Sequence, residues 1–301
     1  FAAGDSMAAV RLAQIAARYA FPANVGLFGS PRLERLLVKV GQQISIDSVR
    51  AAGAPSKNSR HVLHVLSYAK PIGGDSRFAW RWIQEDRASR HSVAITTQAD
   101  VQGIYDVPEG LRKSAENSGG FVRVLKAPTS EPLEQASELR ILCQEADIVV
   151  LHLYPYDIIP VLALSAVCGS VKVLFVNHAD HAFWIGASVA HSVVHLRQQS
   201  PHFLQNRRGL CPDKSFILPI PLMHSPPPVS RVQAKRALGY EPNVVLLLTI
   251  ASPFKYSSPG QIGFLDLVTP VLAKLPQAVL IAVGPKPKGE WRLASIQCDG
   301  R

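Results

Sequence analysis

Seven short, continuously apolar runs separated by longer segments constrain the fold of this 301-residue chain more than any other feature. The runs lie at residues 61–67, 91–97, 121–125, 147–152, 171–177, 192–196 and 215–218. Unbroken rather than alternating hydrophobicity is typical of strands that are covered on both faces. The segments between the runs suit helices, for example 75–89, 131–146 and 156–168. Strands that alternate with helices predict an α/β fold with a doubly wound, Rossmann-like parallel sheet.

A proline-rich stretch interrupts this alternation. Pro219, Pro221 and the prolines at 226–228 make a stiff connection, at which we place the domain boundary. Beyond it the pattern resumes with a predicted helix at 230–238, a strand at 243–250, a helix at 260–274 and a strand at 277–283. The sequence therefore predicts one Rossmann-like domain over 61–225 and the start of a second, truncated Rossmann-like domain over 226–301.

Residues 1–60 are predicted to form a helical extension and a linker. Four residues approximate the apolar face of a first helix: Val10, Leu12, Ile15 and Tyr19. Ser30-Pro31 begins a second helix, because proline at the first helical position forfeits no needed hydrogen bond, and Gly41 ends it. Small and polar residues at 52–60 indicate the linker. We expect this region to contribute nothing to the chemistry.

The charge balance restricts the partners. Lysine and arginine outnumber aspartate and glutamate by 32 to 22, a formal charge of +10, which favours nucleic acid, an acidic membrane surface or phosphorylated substrates. No basic run is interleaved with aromatic residues as a single-strand groove requires, so we expect no nucleic-acid partner. No run reaches the ~18 apolar residues of a membrane span. We expect a cytoplasmic protein, and peripheral contact with an anionic inner membrane surface stays open.

Cysteine and histidine patterns do not favour a metal site. The chain has four widely spaced cysteines, predicted to be buried reduced thiols: Cys143, Cys168, Cys211 and Cys298. The segment HADH at 178–181 is similar to the HxHxDH motif of binuclear metal hydrolases, but Val176 stands at the first histidine position. His191 and His195 have the spacing of zinc ligands on a helix, but their segment is predicted to be a strand. We expect no metal.

Candidate binding residues follow the predicted strands, because open parallel sheets bind ligands outside the carboxyl ends of their strands. Gly73 and Gly74, after the first strand, let backbone approach a ligand, and the next helix offers its N-terminus to an anion. A plain tight turn would use the same glycines. His152 and His178, after the fourth and fifth strands, are either titratable groups in a cleft or satisfied structural histidines.

One lysine of the second predicted domain is a further candidate. Lys255 lies just past the strand at 243–250, where its compact positive charge suits a diphosphate. The alternative is an ordinary exposed loop lysine.

Together these segments resemble glycosyltransferases with the GT-B fold, in the large retaining group called family four. The resemblance covers residues 61–301, and three local patterns carry it. The first is the Gly73-Gly74 loop. The second is NHADHAFW, followed by HSVVHLR and FILPIPL, which is similar to the last strands of that family's N-terminal domain. The third is TIASPFKY with QAVLIAVGP, which is similar to the opening of its nucleotide-sugar domain.

The resemblance implies roles for individual residues. Lys255 matches the family's lysine on the donor diphosphate, but Ile250 stands where the partner arginine is usual. Gly73 and Gly74 match the loop that approaches donor and acceptor. His178 falls near a histidine that contacts the sugar, although His-Ala-Asp replaces the usual His-Asp pair. The family's Glu-x7-Glu motif is expected past the end of this sequence.

The function that the resemblance implies is retaining transfer of a sugar from a nucleotide diphosphate sugar to an unidentified carbohydrate or lipid-linked acceptor. The acceptor is expected near Gly73-Gly74, His152 and His178, and no cofactor is expected. Two alternatives stay open. One is a GT-B nucleotide-sugar epimerase. The other is a non-catalytic nucleotide- or sugar-binding module whose donor site has decayed, and Ile250 at the arginine position is the reason to retain it.

Overall fold

The computed structural model describes residues 5–23, 25–44, 59–71, 73–100, 103–104, 106–125, 131–167, 169–222, 227–256, 262–286, 288–298 and 300. By their internal contacts, two compact units divide the chain: Phe1–Leu222 and Met223–Arg301. The division lies inside the proline-rich stretch. Each unit is described by itself below, and most of the predicted linker at 52–60 lies outside the described residues.

The first unit contains a seven-stranded sheet in which every neighbouring pair is parallel. In chain order its strands are β1 (His61–Leu66), β2 (Arg90–Ile95), β3 (Ala99–Asp100), β4 (Gly103–Ile104), β5 (Val122–Val124), β6 (Ile148–His152), β7 (Lys172–Asn177), β8 (Ser192–His195) and β9 (Ser215–Ile217). The sheet order is β5-β2-β1-β6-β7-β8-β9, while β3 and β4 form a small antiparallel pair of their own. The order reverses between β1 and β6, which is the switch point of a doubly wound sheet.

Helices cover both faces of this sheet. They are α1 (Asp5–Ala23), α2 (Pro31–Gly41), α3 (Gly74–Glu85), α4 (Glu109–Asn117), α5 (Pro132–Gln144), α6 (Ile159–Leu164) and α7 (Ser200–Arg208). Leu63 and Val65 of β1 pack with α1, α2, α5 and α6, whereas Val62 and Leu66 face α3 and α4. All six residues of β1 are buried, which is the physical reason for its unbroken apolar run.

All seven predicted strands of the sheet are confirmed, each with bounds within one or two residues of its apolar run. The patterns did not specify α4, α7 or the β3–β4 pair. The segment of α7 is polar, with only Ser200 and Leu204 buried, so it carries almost no apolar stripe to detect.

The predicted apolar face of α1 is wrong except at Val10, which is buried. Leu12, Ile15 and Tyr19 are 67%, 64% and 67% exposed. The buried face instead consists of three alanines and a valine: Ala9, Val10, Ala13 and Ala17. This face repeats at the three- and four-residue spacing of a helix, and small side chains let α1 approach the core closely. The helical extension therefore belongs to the core of the first unit.

Arg140 of α5 joins the helical extension to the rest of the unit. Its side chain is 2% exposed and donates to the carbonyls of Ala163 at 2.8 Å, Ile44 at 2.9 Å and Gly41 at 2.6 Å. These carbonyls lie at the ends of α2 and α6, where helices leave acceptors unsatisfied. A Cβ at Gly41 would lie 2.5 Å from the carbonyl oxygen of Leu162, so only glycine permits the contact of these two helices.

The cysteine prediction holds in part. Cys143 and Cys298 are buried free thiols, as predicted, and burial raises the pKa of Cys143 to about 12. Cys211 is exposed, which contradicts the prediction, because it lies in the polar loop after α7 and donates to Asp213 at 3.3 Å. Cys168 lies outside the described residues.

The second unit carries α8 (Arg231–Ala237), β10 (Val245–Ile250), α9 (Phe264–Lys274), β11 (Ala278–Val283) and α10 (Glu290–Gln297). The two strands are parallel neighbours, as the alternating pattern predicts. Ser230 caps α8 through a reciprocal capping box with Gln233, and Gly239 follows the helix, so local signals mark both of its ends.

Candidate functional site

The loop after β1 brings the predicted glycine pair to the N-terminus of α3. Gly73 is the N-cap of the helix and Gly74 is its first residue. The backbone N–H of Lys70 donates to Ser76 Oγ at 2.9 Å, which folds the loop back onto the first helical turn. A Cβ at Gly74 would meet nothing within 4 Å, so the absent side chain leaves open space beside the helix end. An uncovered helix N-terminus is a place where a protein stabilises an anion.

His178 lies beside this helix end, just after β7. Its Nδ1 is 3.4 Å from Oδ1 of Asp75, which sits in the first turn of α3. Burial lowers the pKa of His178, and the Asp75 carboxylate opposes that effect only in part, so the imidazole is neutral at pH 7. With Nδ1–H directed at the carboxylate, Nε2 presents a lone pair, and this buried atom has no hydrogen-bond partner in the part of the chain that the structure describes. Such a nitrogen can accept a hydrogen bond from a hydroxyl group.

His152 is the last residue of β6 and is 1% exposed. Its ring packs 5.8 Å from that of His178 and 5.4 Å from that of His64 on β1. His152 therefore lies in the core behind His178, under the aromatic side chains of Phe78 and Trp82.

Three histidines form a hydrogen-bonded row across the sheet. His91 Nε2–H donates to the carbonyl of Asp86 at 2.9 Å. With a neutral His91 ring, its Nδ1 is the acceptor, and His64 Nε2–H donates to it at 3.1 Å. His152 Nε2–H then donates to His64 Nδ1 at 3.1 Å. In this arrangement the row ends on the lone pair of His152 Nδ1, a buried atom that has no hydrogen-bond partner among the described residues.

Burial holds the inner members of this row neutral. It lowers the pKa of His64 to about 3, and the neighbouring His91 adds to the effect. It also lowers the pKa of His152 well below its usual value, helped by His64 and His178. His64 and His152 are thus neutral imidazoles over the physiological pH range.

Asp157 connects the ends of three strands across the switch point. Its Oδ2 accepts from Ser67 Oγ after β1 at 2.6 Å and from Thr96 Oγ1 after β2 at 2.5 Å. Its Oδ1 accepts from the N–H of Ile159 at 3.1 Å, and Ser67 Oγ accepts from the N–H of Tyr154 at 2.8 Å. Burial raises the pKa of Asp157, and these hydrogen bonds oppose the rise. The carboxyl group organises the edge of the sheet where the strands end.

Asp180 has a structural role. Its carboxylate accepts from Asn177 Nδ2 at 2.7 Å, from Ser200 Oγ at 2.6 Å and from Arg197 at 3.2 Å, and so connects the end of β7 to α7. His195 lies on β8, which confirms the predicted strand. Within the described ranges, no group of three or more histidine, cysteine, aspartate or glutamate side chains could hold a metal ion.

Lys255 lies in the second unit, in a short 3-10 turn (Pro253–Lys255) that follows β10. The lysine side chain is exposed. Tyr256 anchors the turn, because its hydroxyl lies 3.2 Å from Thr249 Oγ1 and donates to the carbonyl of Val283 at 3.3 Å. Ile250, at the position of the family's arginine, is 69% exposed. The turn that carries Lys255 is therefore held in place by Tyr256. Position 250, five residues earlier in the sequence, carries no positive charge.

Comparison with known proteins gives one kind of result. No protein-family model matches the chain, and no curated protein matches its sequence. Among solved structures, Alr3699/HepE of Anabaena in complex with UDP and glucose aligns with a TM-score of 0.54 at 13% identity, over 80% of this chain and 67% of that chain. A glycosyltransferase of Rickettsia africae aligns with a TM-score of 0.53 at 12% identity, over 81% of this chain and 66% of that chain.

The chain has the GT-B fold. At these identities the likeness is one of fold, and the matched region spans about two thirds of each of the longer proteins. The same Anabaena protein in complex with UDP-glucose aligns with a TM-score of 0.53, at 14% identity. In the part of the chain that the structure covers, no helix has both the length and the apolar character needed to cross a membrane.

Sequence patterns did not identify Asp75 or Asp157 as site residues. Asp75 directly follows Gly74, and an acidic residue in a first helical turn is common, so its pairing with His178 has no local signal. Asp157 ends the segment LYPYD after β6, where a polar residue at the carboxyl end of a buried strand was a usable signal. The structure brings Gly73, Gly74, His152 and His178 together in the first unit, while Lys255 belongs to the second.

Proposed function

We propose that this protein is a glycosyltransferase that moves a sugar from a nucleotide diphosphate sugar to a carbohydrate or lipid-linked acceptor. The observation that carries the proposal is the fold likeness, over 80% of the chain, to a protein solved in complex with UDP and glucose. The uncovered N-terminus of α3 and the neutral His178 beside it are consistent with a ligand that carries phosphates and hydroxyl groups.

In the proposed reaction, an acceptor hydroxyl oxygen bonds to the anomeric carbon while the bond from that carbon to the diphosphate oxygen breaks. Negative charge accumulates on the leaving diphosphate, which takes up the proton of the acceptor hydroxyl. Lys255 is the residue that we assign to this charge, because a fixed cation acts most strongly where charge develops in the transition state. In the first unit, we assign His178 to contact with the sugar and the Gly73-Gly74 turn to the backbone approach to the ligand.

His152 supports His178 from inside the core in this proposal, since its ring packs against that of His178 and is closed to solvent. Retention of anomeric configuration is proposed on the family resemblance alone. The proposal assigns charge stabilisation to Lys255 and to helix ends, and it needs no metal or organic cofactor.

A specific observation favours a second candidate, a non-catalytic binding module. Ile250 replaces the arginine that accompanies the lysine in the resembled family, and its exposed aliphatic side chain offers no positive charge. Such a module would bind the nucleotide sugar without turnover.

The experiment begins with thermal unfolding of the full chain in UDP, GDP and ADP, with uridine as the control that lacks phosphates. A ligand at 100 times its dissociation constant stabilises the native state by about 2.7 kcal/mol. Incubation with the matching nucleotide sugars then separates the candidates by their products. Free nucleotide with a glycosylated acceptor supports the transferase, and an isomerised nucleotide sugar supports an epimerase. Binding with unchanged sugar supports the module, and stabilisation by none of the nucleotides overturns the proposal.

A further inference from the structure

A cavity of about 270 Å³ lies at the carboxyl ends of β1, β2 and β6, beside Asp157. Its walls come from the loops after these strands and from α1, α5 and α6. Ligand pockets for drug-sized molecules are typically larger, at about 300–1,000 Å³. This cavity therefore suits a ligand the size of a single sugar ring.

One wall of the cavity is aromatic. Tyr154 packs edge-on against Tyr156, with ring centroids 4.8 Å apart, and lies 5.4 Å from Tyr68. Phe21 of α1 supports the wall from behind, 5.4 Å from Tyr154. Arg18 of α1 stacks over the ring of Tyr156 at 5.5 Å. A tyrosine wall combines apolar ring faces with polar hydroxyl rims, and the surrounding contacts hold its side chains in place.

The remaining walls are polar and close to electrically neutral. The Asp157 carboxylate is already occupied by two hydroxyls and one backbone N–H. The Ser67 and Thr96 hydroxyls direct their protons at that carboxylate, and Ser67 Oγ also accepts from the N–H of Tyr154. Gln14 and Thr97 add groups that both donate and accept. On the described wall Arg18 is the one basic side chain, and it already stacks on Tyr156.

This combination selects the chemistry of the ligand. A pyranose ring has a face of C–H groups that packs on an aromatic ring and a rim of hydroxyls that donate and accept hydrogen bonds. A lipid tail would leave the polar walls unsatisfied. A phosphate ester would meet one arginine, together with a buried carboxylate, instead of a cluster of cations.

We propose that the cavity at Tyr68, Tyr154 and Tyr156 is an acceptor subsite that binds one sugar unit of an uncharged carbohydrate. The assignment rests on the proposed function, since it names the class of acceptor for that reaction. It also gives α1 a part in binding, because Gln14 and Arg18 lie on the cavity wall. This reverses the expectation that residues 1–60 contribute nothing to the chemistry.

The test is a titration of the full chain with neutral sugars, followed by NMR saturation transfer. The probes are the methyl glycosides of glucose, galactose and mannose and N-acetylglucosamine, with glucose 6-phosphate and inorganic phosphate for comparison. Two variants remove parts of the site, Tyr156→Ala and Arg18→Ala. Their matched controls are Tyr19→Ala and Arg11→Ala on α1, whose side chains are exposed and away from the cavity wall.

We expect at least one neutral sugar to bind, and Tyr156→Ala to weaken it about tenfold. Arg18→Ala should weaken it several-fold, while both controls bind like the wild type. Because Arg18 is exposed, its removal tests the site without threatening the fold. Binding that is unchanged in both variants, or a preference for either phosphate probe, overturns the subsite.

UDP titration of the same samples distinguishes the two proposals. If UDP binds but no neutral sugar does, the subsite is wrong and the proposed function stands. If a neutral sugar binds at the cavity but no nucleotide does, the subsite stands and the transferase proposal fails.

Discussion

The proposed chemistry depends most on three side chains: Lys255, His178 and Asp75. Lys255 is an exposed cation on a short turn that Tyr256 anchors, so its side chain contributes charge and little packing. His178 is the opposite case, a neutral ring held in the interior and oriented by one carboxylate. Substitution of each therefore has a different signature.

Lys255→Ala should weaken the affinity for a nucleoside diphosphate about tenfold, because a hydrogen bond to a charged group contributes roughly 1.5–3 kcal/mol. Isothermal titration calorimetry with UDP, GDP and ADP measures the effect. Lys274→Ala, which removes an exposed lysine from the last turn of α9, is the matched control and should bind like the wild type. Equal affinities in the two variants would remove Lys255 from the site and favour the non-catalytic module.

Asp75→Asn should lower the pKa of His178 further. Burial already lowers this pKa, and the Asp75 carboxylate is the group that raises it, so its neutralisation leaves burial unopposed. NMR titration of the His178 ring protons follows the change. Asp213→Asn alters a carboxylate that contacts Cys211 instead, and should leave the His178 titration as it is. A His178 pKa that stays constant in Asp75→Asn would show that the two side chains do not interact.

At the scale of the elements, the contact of α2 with α6 decides whether the helical extension belongs to the unit. Arg140 donates to carbonyls at both helix ends, and Gly41 allows the two backbones to meet. Glu34 of α2 also joins the extension to the rest of the unit, because its carboxylate accepts a hydrogen bond from the N–H of Ser188 at 2.6 Å. These contacts hold the helical extension, which lies outside the family resemblance, against the unit whose cavity α1 lines.

Arg140→Met should destabilise the first unit by about 3 kcal/mol or more, because several buried carbonyls would lose their donor at a cost of roughly 1–3 kcal/mol each. Denaturant unfolding measures the loss. In the Trp291→Phe background the other three tryptophans, Trp80, Trp82 and Trp184, all lie in the first unit, so fluorescence reports on that unit.

Arg112→Met, at an exposed position of α4, is the control for Arg140→Met and should change stability by at most about 0.5 kcal/mol. If both variants unfold at the wild-type denaturant concentration, the hydrogen bonds of Arg140 do not hold the extension in place.

At the scale of the whole first unit, buried histidines should make stability sensitive to acid. Burial lowers the pKa of five of them: His61, His64, His152, His178 and His195. The unfolded chain takes up these protons near pH 6.5, whereas His64 in the folded chain takes up its proton only at about pH 3. The contribution of these histidines to the free energy of unfolding is therefore fully present above pH 6.5. It is lost as pH falls toward their pKa values in the folded chain.

The free energy of unfolding should thus decrease between about pH 7.5 and about pH 5.5, by up to about 1.4 kcal/mol per pH unit for each of these histidines. Asp157 has the opposite effect, because its pKa is raised and its contribution to the free energy of unfolding is lost as pH rises. It is one group against five histidines, so the histidines set the direction of the change. Urea unfolding at several pH values measures the slope. His181→Gln removes an exposed histidine and should leave the slope unchanged. A stability that does not vary over this range would contradict the assigned neutral row.

The order and kind of most elements follow from the sequence. Seven mainly apolar runs predicted the seven parallel strands, because a strand covered on both faces needs apolar side chains in both directions. The edge strands β5 and β9 are largely exposed, so this reason applies to the inner strands. Ser30-Pro31 and Gly41 predicted the ends of α2, because caps and turns depend on local backbone chemistry. The glycine pair at the start of α3 was also visible, since a loop after the first strand leads into a helix there.

Only the tertiary structure decided which side chains meet. Asp75 and His178 are about a hundred residues apart, and they become neighbours because β1 and β7 flank β6 in the same sheet. The histidine row likewise depends on strand order and register, which set the neighbours of each residue across strands. The buried face of α1 depends on how close the helix lies to the core. The small residues Ala13 and Ala17 face inward, and Leu12 faces outward. Local patterns encode backbone conformation, whereas sites form from contacts that only the packed sheet brings together.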